Sequence, residues 1–385
     1  MPAPESAIAT CVDFMAAGDV EEATRLTEQL TLPAYRQGRV ATVQRWFRWL
    51  DDQGAIEGYP RVALWASLVA LSTGRAAEAE RWADVVGRWL DGDAPRPPDP
   101  YVEAWAAVMR AGLCRGGAGQ MRADADEAVR RAAAARTVIP AAPLVQGIAH
   151  ILCGDLEAGD ASFEDAIAVG DFGAPETLAQ ALGERALVAM ARREWDKAEV
   201  LAGQAGTVLR QAGQGDLLVC AVQARVALHR GDVPAARREL INAQRLRPSL
   251  TYAQPHLAVQ ARIELTRVYL ALSDMAGART LMREIDEVLR RRPGLGTLAG
   301  EAQALQSRLA AERGSDIRGV SSLTTAELRV LPMLATHMPS AEIAAELFLS
   351  LHTVKSQVSS LYRKLGVSSR SQAVARAREL GILEK

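Results

Sequence analysis

The sequence predicts an all-α protein, a helical-hairpin solenoid followed by a C-terminal helix-turn-helix domain. Three observations carry that prediction. The chain has 385 residues, 49% hydrophobic but only 5% aromatic. Its core must therefore be mostly Ala, Leu and Val, a helix-forming composition. A short turn recurs with a period near 40 residues, and strand-like alternation is nowhere sustained. Beyond residue 313 the period stops, and a segment with its own capping signals runs to the end.

The opening MPAPESAIATCVDF lacks the basic and apolar regions of a signal peptide. No run of about 18 uncharged apolar residues occurs, so no membrane partner and a cytoplasmic location are expected. The recurring turn reads GDVEEA at 18–23, GRAAEA at 74–79, GGAGQM at 116–121, GDLEAG at 154–159, REWDKA at 193–198, GDVPAA at 231–236 and SDMAGA at 273–278. The first two copies are 56 residues apart, and the later steps are 42, 38, 39, 38 and 42. Glycine takes the left-handed conformation that ends one helix, and the following Asp caps the next. Ala five residues after the glycine lets the two helices approach closely. A single hairpin cannot bury its apolar face, so successive hairpins stack.

Six of the seven tryptophans precede residue 106: Trp46, Trp49, Trp65, Trp82, Trp89 and Trp105. They read as core side chains between helices, or alternatively as an aromatic wall for a ligand. The stretch APRPPDP at 94–100 is a loop, and RRRPG at 290–294 ends a helix with its arginines on a solvated face. The four cysteines, Cys11, Cys114, Cys153 and Cys220, are far apart and read as buried free thiols.

These repeats, with the opening AAGDVEEATRLTEQL, VQRWFRWLDD and YPRVALWASLVALSTGRAAEAERWADVV, resemble the tetratricopeptide-like repeats of the large maltose-regulator-type transcription factors. The resemblance covers roughly residues 1–313 and implies a sensor or interaction domain for a small-molecule effector or a partner protein. Those regulators usually carry an ATPase ahead of the repeats. Here no GxxxxGK[ST] occurs, and there is not one Gly-Lys pair. An ATPase regulator shortened at its start therefore remains an alternative.

GSDIRGV at 314–320 reads as a linker before a domain over 321–385. Charge changes there too. The chain holds 45 basic and 46 acidic residues, but 321–385 has eight basic against five acidic, and three of the four lysines lie in the last 31 residues. A mildly basic tail on a mildly acidic body suits a polyanionic partner. Thr324 and Glu327 form a capping box that starts a helix. Ile343, Ala344 and Leu347 give a second helix its apolar face, and Ser350 caps a third. In that third helix Val354, Val358, Leu361 and Leu365 make one narrow stripe. His352, Ser356, Ser359 and Arg363 lie opposite, with Lys355 flanking. Two helices joined by LFLS, the second presenting donors, form a helix-turn-helix whose recognition helix fits the major groove of double-stranded DNA.

The segment strongly resembles the LuxR-type DNA-binding domain. The matching residues include Leu323, Thr324, Glu327, Glu342-Ile343-Ala344, Leu347, Ser350, Thr353-Val354-Lys355, Leu361-Tyr362-Arg363-Lys364-Leu365, Ser369-Arg370 and Ala373-Val374. The resemblance implies groove contacts from Lys355, a backbone contact from Thr353, and base-facing positions at Ser356 and Ser359. His352 and Arg363, on the same helix face, and Lys364 complete the expected DNA-binding residues, and the resemblance implies a homodimer on DNA paired through the last helix, Ser371 to Leu380. Three residues depart from the pattern. Pro332 inside the first helix removes a backbone bond and should bend it. Pro339 stands where the family often has a capping Ser, and Gln357 replaces a frequent His.

The five histidines are scattered and form no metal cluster, and neither GxSxG nor HExxH occurs, so no enzyme, metal or cofactor is expected. The sequence thus points to a sequence-specific transcriptional regulator. The alternative is a repeat scaffold whose helix-turn-helix docks on RNA polymerase or another regulator.

Overall fold

The computed structural model describes residues 5–92, 99–169, 175–311, 323–336 and 338–383. The expected loop at 94–100 lies mostly outside the described residues, as does the expected linker at 314–320. Within them the chain forms twenty α-helices and no strand.

The body is a series of antiparallel pairs: α1 (Glu5–Ala17) with α2 (Val20–Arg36), α4 (Pro60–Ser72) with α5 (Ala76–Asp91), and α6 (Pro100–Leu113) with α7 (Gly117–Ala134). Next come α8 (Ala141–Leu152) with α9 (Leu156–Val169), α10 (Pro175–Ala191) with α11 (Trp195–Ala212), α12 (Leu217–His229) with α13 (Val233–Leu246), and α14 (Pro255–Ala271) with α15 (Met275–Arg291). The helix α16 (Thr297–Ala311) follows and packs against α14, α15 and α8. The long first step of the repeat arises because α3 (Val40–Asp52) and a 3-10 turn at Ile56–Gly58 are inserted after the first pair.

The turns behave as their sequence requires. Gly18, Gly74, Gly154 and Gly231 take φ between 74° and 87°, and Arg193 and Ser273 occupy the same left-handed position at 64° and 57°. Asp19, Asp155, Asp232 and Asp274 each accept the N–H three residues on, at 3.2, 3.1, 2.9 and 2.9 Å. Ala23, Ala79, Ala198, Ala236 and Ala278, the small residues of these turns, are wholly buried. The third copy differs: Gly116 has φ −90°, and the left-handed residues are Cys114 and Gly117.

The stack closes on itself. The Ala118 N–H donates to the Gly294 carbonyl at 2.7 Å, joining the α6–α7 turn to the segment before α16. Arg292 pairs with Glu80, and Arg291 lies 4.4 Å over the Tyr252 ring. The Arg290–Arg292 triplet is thus partly drawn into the closure rather than being wholly a solvated face, because Glu80 arrives from the distant α4–α5 hairpin and Tyr252 from the entry to α14.

Closure encloses α14. Every residue from Pro255 to Leu270 except Arg267 is buried. Three of its polar side chains meet partners on neighbouring helices: Gln260 donates to Glu184 at 2.8 Å, Arg262 to Glu284 at 2.9 Å, and Arg225 pairs with Glu264, which Arg267 of α14 itself also holds. Burial of such groups is tolerable only with partners of this kind.

Trp46 and Trp82 are buried, and Trp65 and Trp105 pack with Tyr101 in a cluster with centroids 5.9–6.4 Å apart. Cys11, Cys114 and Cys220 are buried free thiols, whereas Cys153 is exposed at the α8–α9 turn, where the chain leaves the core. No helix of the described residues is long and apolar enough to cross a membrane.

Candidate nucleic-acid interface

After the body come α17 (Thr325–Leu334), α18 (Ser340–Glu346), α19 (Leu351–Leu365) and α20 (Arg370–Glu379). They share a separate core in which Leu328, Leu331, Ile343, Val354, Leu361 and Ala373 meet. The capping box is complete: the Thr324 N–H donates to Glu327 Oε2 at 2.8 Å, and the Glu327 N–H donates to Thr324 Oγ1 at 3.3 Å. The helix α17 continues through Pro332 to Leu334, so the proline removes one late backbone bond without ending it. Pro339 precedes α18 without a side-chain cap.

Ser350 Oγ accepts the Thr353 N–H at 3.0 Å and starts α19. Gly366, at φ 71°, ends it. Between these caps Val354, Leu361 and Leu365 are buried and Val358 is half-buried. His352, Lys355, Ser356, Ser359 and Arg363 are exposed, at intervals that keep them on one side of the helix. Among the described residues neither Lys355 nor His352 makes an ion pair. Thr353 is half-buried, its hydroxyl 2.7 Å from that of Ser350. Among the described residues Arg363 Nη2 reaches only Ser360 Oγ, at 3.4 Å.

Lys364 is placed differently. Its Nζ lies 2.7 Å from Glu327 Oε2, with the two side chains 19% and 5% exposed. This ammonium neutralises a buried carboxylate of the capping box and is withdrawn from the donor stripe. Arg370 is likewise internal. It donates to the carbonyls of Leu334, Met338, Met333 and Thr336 at 2.7–3.0 Å, tying α20 to the loop after α17.

One feature escaped the sequence reading. In the turn before α19 Phe348 is 78% exposed, and Leu349 and Leu351 are exposed beside it. Phe348 has φ 53°, a left-handed conformation uncommon for an aromatic residue. The apolar LFLSL at a helix junction was the available signal. Exposed donors, an unpaired lysine and an adjoining apolar edge are the groups that address phosphates, base edges and thymine methyls.

Residues 321–377 match the family described as bacterial regulatory proteins, luxR family. The transcriptional regulatory protein YdfI of Bacillus subtilis is 35% identical over 133 residues, which are 34% of this chain and 60% of that protein. The spore germination protein GerE of Bacillus subtilis is 44% identical over 62 residues, 16% of this chain and 84% of that protein. The probable transcriptional regulatory protein NarL of Mycobacterium tuberculosis is 38% identical over 90 residues, 23% of this chain and 37% of that protein. The chain therefore spans about 60% of the length of the first of these relatives and less of the third.

Proposed function

Because this chain belongs to the luxR family of bacterial regulatory proteins and carries that family's helix-turn-helix, we propose that it is a cytoplasmic, sequence-specific regulator of transcription that binds double-stranded DNA through α19. The division of labour that fits is residues 1–313 as the unit that senses a small molecule or a partner protein, 314–320 as the linker, and 321–385 as the DNA reader, acting as a homodimer on its site.

The observation that carries the reading is the exposed stripe His352, Lys355, Ser356, Ser359 and Arg363, opposite the buried face of a helix capped at both ends. Thr353, at the first turn of that helix, supports it as a backbone contact. Lys364 belongs to the fold of the reader rather than to the contact, since it neutralises Glu327. Phe348 extends the contact with an apolar edge suited to deoxyribose or a thymine methyl.

Lys355→Ala tests this by a salt titration of fluorescence anisotropy on cognate and scrambled duplexes. If Lys355 meets phosphate, binding to both weakens and the salt slope falls by about 1. If it reads guanine, the loss is about 1–3 kcal/mol and confined to the cognate duplex. Ser356→Ala should lose less, since a neutral hydroxyl makes a weaker bond than a charge-assisted donor. Unchanged curves for a folded Lys355→Ala chain would reject α19 as the reader and favour a docking module for RNA polymerase or another regulator.

A further inference from the structure

The first helix of the DNA reader lies in the seam where the closed solenoid meets itself. Gly74, at φ 74° in the α4–α5 turn, comes so close to the 3-10 turn Arg247–Ser249 that a Cβ would sit 2.6 Å from the Pro248 carbonyl oxygen. From α17, Arg329 reaches into this contact. Its Nη2 donates to the Gly74 carbonyl at 3.1 Å and to the Pro248 carbonyl at 3.0 Å, and its Nε also donates to Pro248 at 3.3 Å. Two carbonyl dipoles from distant hairpins thus converge on one guanidinium, which supplies the donors that two acceptors cannot supply to each other.

The start of α17 is held by a second device. Glu284, on α15 and only 11% exposed, accepts from Arg247 at 3.2 Å and from Arg262 at 2.9 Å, whose side chains are 1% and 3% exposed. The same carboxylate accepts the Thr325 N–H at 2.7 Å and the Thr325 hydroxyl at 2.9 Å. Arg247 also donates to the Leu323 carbonyl, and Arg262 Nη2 lies 3.4 Å from Thr325 Oγ1. Burial pushes the Glu284 carboxyl up, and the two guanidinium groups outweigh it and hold it below the usual range. At the far corner Arg245 Nε donates to the Gly381 carbonyl at 2.6 Å. The exposed side of α19 makes none of these contacts.

We propose that the helix-turn-helix unit is the clasp of the solenoid: Arg329 and the Glu284 cluster couple the docked unit to the closed seam at Gly74 and Pro248, so that seam and unit open together. An effector or partner protein that pries this seam apart frees the DNA reader, and detachment of the reader loosens the seam. The sensing consequence rests on the function proposed above, whereas the coupling does not.

The test is hydrogen–deuterium exchange on the full chain without DNA, comparing the wild type with Arg329→Ala and Thr325→Val. The reporters are α17, the 3-10 turn at Arg247–Ser249, and the Arg75 amide, which donates to the Ala70 carbonyl at 2.9 Å. Both variants should speed exchange at all three by about tenfold or more while leaving α11 unchanged, because sub-global opening acts on contiguous units. Thr325→Val is the decisive variant, since Thr325 does not touch the α4–α5 turn and the loss of one hydroxyl spares the fold. Faster exchange confined to α17 and α15, with Arg75 unmoved, overturns the coupling, as does no change in either variant. The readout needs no nucleic acid, so failure of the DNA-binding reading would appear separately, in the anisotropy titration.

Discussion

Lys355 and Lys364 lie on the same helix nine residues apart, and the structure assigns them opposite consequences. Removing the Lys364 charge, best done as Lys364→Met to keep the aliphatic stem, leaves the Glu327 carboxylate in a 5% exposed position without its cation. Deleting one partner of a fully buried pair costs about 3–5 kcal/mol. Here the value is discounted, because Lys364 is 19% exposed and Glu327 keeps the Thr324 N–H at the positive end of α17. We expect a loss of about 2–3 kcal/mol, a large share of the roughly 5 kcal/mol available to a domain of this size. Lys355 is exposed and unpaired, so Lys355→Ala should change stability by no more than about 0.5 kcal/mol. Urea unfolding of the full chain, followed through a probe on α19, measures both. A double-mutant cycle with Glu327→Gln should return most of the Lys364 loss as coupling energy. DNA binding by Lys364→Met should fall only in proportion to the unfolded fraction and recover on cooling to a temperature where the domain is intact. If Lys364→Met is as stable as the wild type, or if it lowers affinity and salt slope while fully folded, the assignment of Lys364 to the fold is wrong.

Two further outcomes follow from the body. Burial raises the Glu184 carboxyl to about 8, with Gln260 opposing and Asp216 and Glu264 adding to the rise. Because the folded value exceeds the unfolded one, this stabilisation is complete below about pH 4.5 and is lost as pH climbs through about 8. Glu184→Gln should therefore raise the midpoint of thermal unfolding at pH 8, by an amount equivalent to about 4 kcal/mol, and leave it unchanged at pH 4; equal shifts at both pH values would refute this. Gly74→Ala should cost more than Gly154→Ala. Both require a left-handed residue, worth about 1–2 kcal/mol, but only Gly74 would force a Cβ to 2.6 Å from a carbonyl oxygen, whereas Gly154 faces open space. Chemical denaturation of the two variants gives the comparison, and equal losses would mean the seam is not a tight contact.

What the sequence determined by itself is what depends on near neighbours in the chain. The Asp caps, the left-handed turn residues, the Thr324–Glu327 box and the Val354–Leu365 stripe join residues three to eleven apart, and one helical repeat fixes their relation. The position of the donor stripe on α19 was legible for the same reason. Tertiary structure alone decided which charged side chains remain available. Lys364 and Arg370 look like Lys355 in sequence, yet Glu327 and the carbonyls around Thr336 claim them from more than thirty residues away. Likewise His256, Gln260, Arg262 and Glu264 read as an ordinary mixed helix. Only the packing of neighbouring helices, which brings Glu184 to Gln260, Glu284 to Arg262 and Arg225 to Glu264, makes α14 the buried centre of the body. Burying side chains such as Gln260 and Glu264 is tolerable because partners distant in the chain meet them, and no local pattern encodes which partner that is.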